Sequence, residues 1–209
     1  MQKLTIFLLF FYFNFSFGQN KRDSILDYYN EISRKELNLR DFKDIKFDKF
    51  YRIWISDYQV VELIKFNDSI YEGNLINSVT RVFKKKKDEK VIQVIKIPEK
   101  IVNKLMLELN LKNIEVLRDC YEFENYPKGF DGKSYTFEIG INDEKVIYSY
   151  WEPERFKDLN IDDLKSVQQI LKSINNELRC LLFSWAINDW SWRCIGNGNT
   201  FPCKLCLLD

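Results

Sequence analysis

Three carboxylates, Asp131, Glu138 and Glu152, fall close together around Trp151 and form the densest group of chemically able residues in the chain. Two carboxylates beside an aromatic platform suit glycoside hydrolysis, where one acid protonates the leaving oxygen and the other acts as nucleophile or activates water. A plainer reading gives each a structural place. Asp131 with Gly132 signals a turn, Glu138 reads as an exposed strand residue, and Glu152 as a strand-end charge. With 31 acidic residues among 209, closeness in sequence decides nothing. The plainer reading is preferred, and no residue is assigned as catalytic.

The chain contains no histidine. Histidine is the usual general base near neutral pH and the commonest imidazole metal ligand. Its absence rules out a Ser-His-Asp or Cys-His nucleophile and every His-containing zinc site. The five cysteines are Cys120, Cys180, Cys194, Cys203 and Cys206. A redox CxxC opens a helix in a βαβ setting, whereas Cys203 to Cys206 is followed by only three residues in the sequence, without that helix. Neither a metal site nor a cofactor is expected.

The compartment sets how those thiols are read. Lys3, the apolar run Leu4 to Phe13 and the small-x-small site Ser16-Phe17-Gly18 have the order of a secretory signal peptide, cleaved before Gln19. A membrane span needs about 20 apolar residues, and Asn14 interrupts this run, so no transmembrane span is expected after cleavage. The mature protein is expected in the periplasm or outside the cell. Thiols tend to pair there, which makes Cys180, Cys194, Cys203 and Cys206 disulfide candidates, with the connectivity open. The net charge of +1 falls to zero when Lys3 leaves, so no electrostatic footprint for nucleic acid remains. An apolar content of 45% with few Gly and Pro describes an ordered globular chain.

The elements that must carry these residues follow from periodicity. Asn20 to Leu39 reads as a charged amphipathic helix. Phe50 to Ser56, Gln59 to Phe66, Ile70 to Leu75, Val79 to Phe83 and Val91 to Ile97 are β-prone, with a turn at Asn67-Asp68-Ser69. The run Lys84 to Lys87 suits an acidic partner, yet a solvated loop neutralised by Asp88 and Glu89 explains it more simply. Pro98 starts a helix to about Leu111, with Leu105 on its apolar stripe. Lys133 to Ile141 and Lys145 to Trp151 form a hairpin, and Leu159 to Cys180 a long helix turning Leu164, Val167, Leu171, Ile174 and Leu178 inward. Strands on short turns with helices in blocks predict an α+β fold: an antiparallel sheet of about six strands, two helices packed on one face, and an N-terminal helix. The expected organisation is a signal peptide over 1–18, one domain over 19–180 and a Trp/Cys-rich tail over 181–209.

Alternation in the second hairpin puts Tyr135, Phe137 and Ile139 with Tyr148 and Tyr150 on the core face, and turns Glu138, Ser149 and Trp151 toward water or a neighbour. Asp131, Gly132, Ser134, Tyr135, Glu138, Trp151 and Pro153 match a pattern of Asp-Gly-x-Ser/Thr-aromatic followed by aromatic-Trp-x-Pro. This hairpin resembles one in a loose group of small exported bacterial proteins common in the Bacteroidota. The resemblance implies a fold and an exported setting, and no activity comes with it. The functional expectation is a non-enzymatic exported protein that binds a protein or envelope component through Glu138, Ser149, Trp151 and Glu152. Aromatics favour interface centres. A carboxylate-based hydrolase is the alternative, and an inhibitor or immunity-type protein would look the same in sequence.

Overall fold

The computed structural model describes residues 30–56, 58–81, 89–129, 131–142 and 144–182. The chain divides into two compact units, 1–41 and 42–209. In the first, residues 30–36 (α1) are helical, and Asn38 takes a left-handed conformation with φ 52°. The expected N-terminal helix is present there, while its first turns and the signal sequence lie outside the described residues.

The second unit is an α+β fold with a six-stranded antiparallel sheet. Its strands are β1 (Lys49–Ile55), β2 (Gln59–Lys65), β3 (Tyr71–Arg81), β4 (Glu89–Ile97), β5 (Ser134–Ile141) and β6 (Glu144–Trp151), in the spatial order β4-β3-β2-β1-β5-β6. Local chemistry makes the corners. The Asn67 carboxamide oxygen accepts from the Ser69 and Ile70 amides, both at 3.0 Å, which bends β2 into β3. Asn142 turns β5 into β6 with φ 47°, a conformation that Asn tolerates better than most residues.

Helix α2 (Glu99–Leu111) starts after Pro98, whose carbonyl accepts the Val102 amide at 3.0 Å. It buries Val102, Leu105, Met106 and Leu109. Helix α3 (Asp162–Leu182) buries all five residues expected to face inward, and Ile170 with them. Both stripes join one core with Tyr51, Ile53, Val61, Leu63, Leu75, Phe137, Ile139, Tyr148 and Tyr150, so the two helices cover a single face of the sheet. Gly73 allows the approach, since a Cβ there would stand 2.6 Å from a methyl of Val102.

Two expectations are corrected. The described parts of the β-prone runs 70–75 and 79–83 belong to one strand, β3, which runs from Tyr71 to Arg81. Asn77, which lies between the two runs, bonds sideways within the strand. Gln59 donates to its Oδ1 at 2.7 Å and its Nδ2 donates to Gln93 at 3.3 Å, an amide ladder across three strands. The second correction concerns the opposite face, where Phe50, Arg52, Trp54, Val60, Glu62, Ile64, Ile76 and Glu138 are all buried. Part of that face carries a second apolar cluster of Phe42, Phe47, Phe50 and Ile64. Gly140 makes room for it, because a Cβ there would lie 1.9 Å from the Phe42 ring. The sheet centre is therefore buried on both sides.

Cys120 is buried and carries a thiol rather than a disulfide. The disulfide candidates Cys194, Cys203 and Cys206, and the side chain of Cys180, lie outside the described residues.

Candidate functional site

The β5–β6 hairpin brings the sequence-predicted residues into three different settings. Glu138 is 0% exposed, contrary to the expectation of a solvent-facing carboxylate. Its cross-strand neighbour is Arg52 in the middle of β1. The Arg52 guanidinium donates from Nη1 to Glu138 at 3.2 Å, and from Nε and Nη2 to Glu62 on β2 at 2.9 and 2.6 Å. The Trp54 indole donates to the second Glu138 oxygen at 2.8 Å. An ionised carboxylate in an apolar interior is tolerated only with such partners, so the burial and the bonding have one cause.

Ser149 is half-buried and serves the sheet edge. Its amide and hydroxyl both donate to Asp119 Oδ2, at 2.9 and 3.1 Å. Asp119 also accepts the Tyr121 amide at 2.8 Å and forms a capping box with Glu122 over the 3₁₀ turn Cys120–Glu122. One carboxylate thus satisfies an outward amide of β6 and starts a helical turn. The segment that holds Asp119 is itself fastened to the sheet. Tyr148 and Tyr150 donate from the core face to the carbonyls of Ile114 and Arg118, each at 2.7 Å. Glu115 accepts from Lys49 at 2.5 Å and from the Tyr51 hydroxyl. Burial raises the pKa values of Tyr51, Tyr148 and Tyr150, so these phenols are neutral structural donors.

Trp151 and Glu152 build the corner where β6 ends. The Trp151 indole donates to the Asp131 carbonyl at 3.1 Å, and its ring leans on Phe156 with centroids 5.7 Å apart. Glu152 adopts φ 47°, and its side chain accepts the Lys133 amide at 2.5 Å. Gly129 and Gly132 admit the indole. A Cβ at Gly129 would stand 2.2 Å from the ring, and one at Gly132 2.9 Å from Nε1. Trp151 thereby clamps its own loop and is partly buried by that packing.

These placements separate the carboxylates that suggested hydrolysis. Glu138 is sealed within the sheet, and Glu152 is committed to the hairpin mouth. A general acid must be able to reach the bond it protonates, which Glu138 cannot do from this position. Among the described residues, no group of His, Cys, Asp or Glu is arranged to hold a metal ion.

The two edges of the sheet differ. Strand β6 is shielded by the 112–122 segment, with Asp119 occupying the Ser149 amide. Strand β4 pairs only with β3 among the described residues, in unbroken register from Val91↔Val79 to Ile97↔Gly73. Its outer side presents Ile92 at 36% and Val94 at 61% exposure, between exposed Lys90 and Lys96. Sequence reasoning passed over this strand as an ordinary member of the sheet. The signal lay in its composition, β-branched on either side of Gln93 with a lysine near each end, which suits an edge.

Compared with known proteins, the chain matches no family model and no curated protein. No helix among the described residues is long and apolar enough to cross a membrane.

Proposed function

We propose that the protein is an exported, non-enzymatic binding module for a protein or another envelope component, engaged along β4, which among the described residues pairs on one side only. The carrying observation is the contrast between edges: β6 has its amide bonded by Asp119, whereas β4 offers a continuous strand with exposed Val94. An uncovered strand edge is a template for a further strand. The polar side chains expected to act on a ligand are engaged within the fold. An inhibitor or immunity-type role is one form of such binding.

Site-specific photo-crosslinking tests the reading. A photoreactive residue at position 94 or at position 172, a lysine on the exposed side of α3, is introduced into the full chain and irradiated in its own envelope fraction. A discrete adduct from position 94 and none from position 172 is expected. Equal labelling from both sites, or from neither, would defeat the β4 assignment. N-terminal sequencing of the envelope form should begin at Gln19, and a cytoplasmic form retaining Met1 would defeat the exported setting.

A further inference from the structure

The sequence of β6 from Val146 to Trp151 is Val-Ile-Tyr-Ser-Tyr-Trp, β-branched and aromatic apart from one serine, with no charge, proline or glycine. A segment of that composition at the end of a sheet is a template for pairing with its own copy. Among the described residues β6 is an end strand, paired with β5 alone. Glu152 donates inward to the Lys133 carbonyl at 2.8 Å, so by alternation the main-chain groups of Trp151, Ser149 and Ile147 face outward. Side chains of one short segment meet them. Asp119 Oδ2 accepts the Ser149 amide at 2.9 Å, and the Tyr126 hydroxyl donates to the Trp151 carbonyl at 2.9 Å. A carboxylate stands where a further strand would put a carbonyl, and a phenol where it would put an N–H. Both are held in place, Asp119 by the Tyr121 amide and Tyr126 by ring contacts with Tyr150 and Phe156 at 5.7 Å.

We infer that Asp119 and Tyr126 guard β6 against edge-to-edge pairing with a second copy of this chain. The strand supplies no barrier of its own. Antiparallel pairing of two β6 strands centred on Ile147 sets Lys145 against Ser149 and Val146 against Tyr148 of the other copy, and opposes no like charges between positions 144 and 150. Natural edges are commonly blunted by a lysine, a proline or a covering loop. Here the covering loop does it, with a charged group set against the middle of an uncharged run. The capping role of Asp119 does not explain the contact, because its Oδ1 accepts the Tyr121 amide while Oδ2 reaches across to Ser149. A cap alone is served by one oxygen. The second oxygen belongs to the strand.

The test uses the full mature chain. Asp119→Ser keeps a hydroxyl cap for the Tyr121 amide but is too short to hold Ser149 as well, and Tyr126→Phe removes only a hydroxyl. The double variant, with its fold checked by circular dichroism, is expected at least to double in mass by light scattering, with amide exchange over 146–151 slowing as concentration rises. Adding Val146→Lys, at a position 46% exposed, puts a charge into the bare segment and should return the mass to that of the parent. A folded double variant that keeps the parent mass would overturn the guard. So would assembly that Val146→Lys leaves unchanged, or that gives β6 no protection. Where the double variant loses its fold, Asp119→Ser alone carries the same comparison. In the parent, the Ser149 amide should exchange slowly at every concentration. Exchange there as fast as at exposed Asp68, or growth in mass through β6 in the unmodified chain, would overturn the inference as well.

Discussion

Arg52 and Glu138 face each other across the β1–β5 register, Nη1 to Oε2 at 3.2 Å, and neither side chain has any exposed surface. Glu62 meets the same guanidinium from β2 at 2.6 Å. One arginine therefore ties three adjacent strands. Desolvation offsets most of the attraction in such a pair, so its net contribution to stability is small. Its effect on register is larger. A slip of β1 by one residue would carry Arg52 to the opposite face, into a core of Leu, Ile and Tyr, and leave Glu62 and Glu138 buried without their cation.

Removing only the cation should be costly. Arg52→Met leaves Glu62 and Glu138 buried without their guanidinium, and a loss of about 3 to 5 kcal/mol is expected from breaking a buried pair on one side. Converting all three positions to Met or Leu should recover most of that loss, less about 1 to 3 kcal/mol for the Trp54 indole left without an acceptor. Urea midpoints of the two variants make the comparison. A single variant within about 0.5 kcal/mol of the parent, the range of surface changes, would contradict the network.

Five tyrosines, Tyr51, Tyr126, Tyr135, Tyr148 and Tyr150, have their pKa values raised above the ordinary 10.0, with desolvation the largest cause in each. A raised pKa means that the folded state holds the phenolic proton more strongly than the unfolded chain does. The stabilisation is complete below about pH 10, the unfolded value, and is lost progressively as pH rises above it toward the folded values. Absorbance of tyrosinate near 295 nm should show these five ionising together with the loss of circular dichroism. Their titration near pH 10 in a chain that stays folded would refute the burial.

Leu105 of α2 and Leu171 of α3 lie 0% and 2% exposed between helices and sheet. Truncating either to Ala should cost about 2 to 5 kcal/mol, and Leu107→Ala on the exposed side of α2 under about 0.5 kcal/mol. Thermal or chemical denaturation reads the difference. Equal costs at positions 105 and 107 would show that α2 is rotated.

The regular elements were legible because their periods are strong. The stripes of α2 and α3 and the alternation of β5 and β6 each name a core face directly. The second buried face was less legible, since alternation assigns one side of a strand to the core and leaves the other unassigned. Its trace was nonetheless present: Arg52 interrupts Phe50 to Ile55, and Glu62 interrupts Val60 to Ile64, each alone among apolar neighbours. Asp119 and Glu122 likewise have capping-box spacing. What the sequence could not supply was the pairing. Arg52 and Glu138 are 86 residues apart, and only the β1–β5 register makes Glu138 a buried ion-pair partner instead of a surface carboxylate. The edge position of β4 is also a property of strand order, which local patterns do not contain.

The corner at Trp151 gives the final prediction. A Cβ at Gly129 would meet the indole at 2.2, 2.4 and 2.7 Å, all on atoms of the ring system. Gly132 adds a backbone demand, since its φ of 134° is a conformation that L side chains rarely adopt, and a Cβ there would also press on Glu152 at 2.6 Å. Gly129→Ala and Gly132→Ala should each destabilise by about 1 to 3 kcal/mol, the first through overpacking and the second through strain as well. The mechanisms separate in a double-mutant cycle with Trp151→Phe, which shortens the ring that Gly129 accommodates. In that background Gly129→Ala should lose most of its cost, while Gly132→Ala keeps the part that comes from its backbone. An undiminished cost for Gly129→Ala in the Trp151→Phe background would show that the glycine is required for some reason other than the indole.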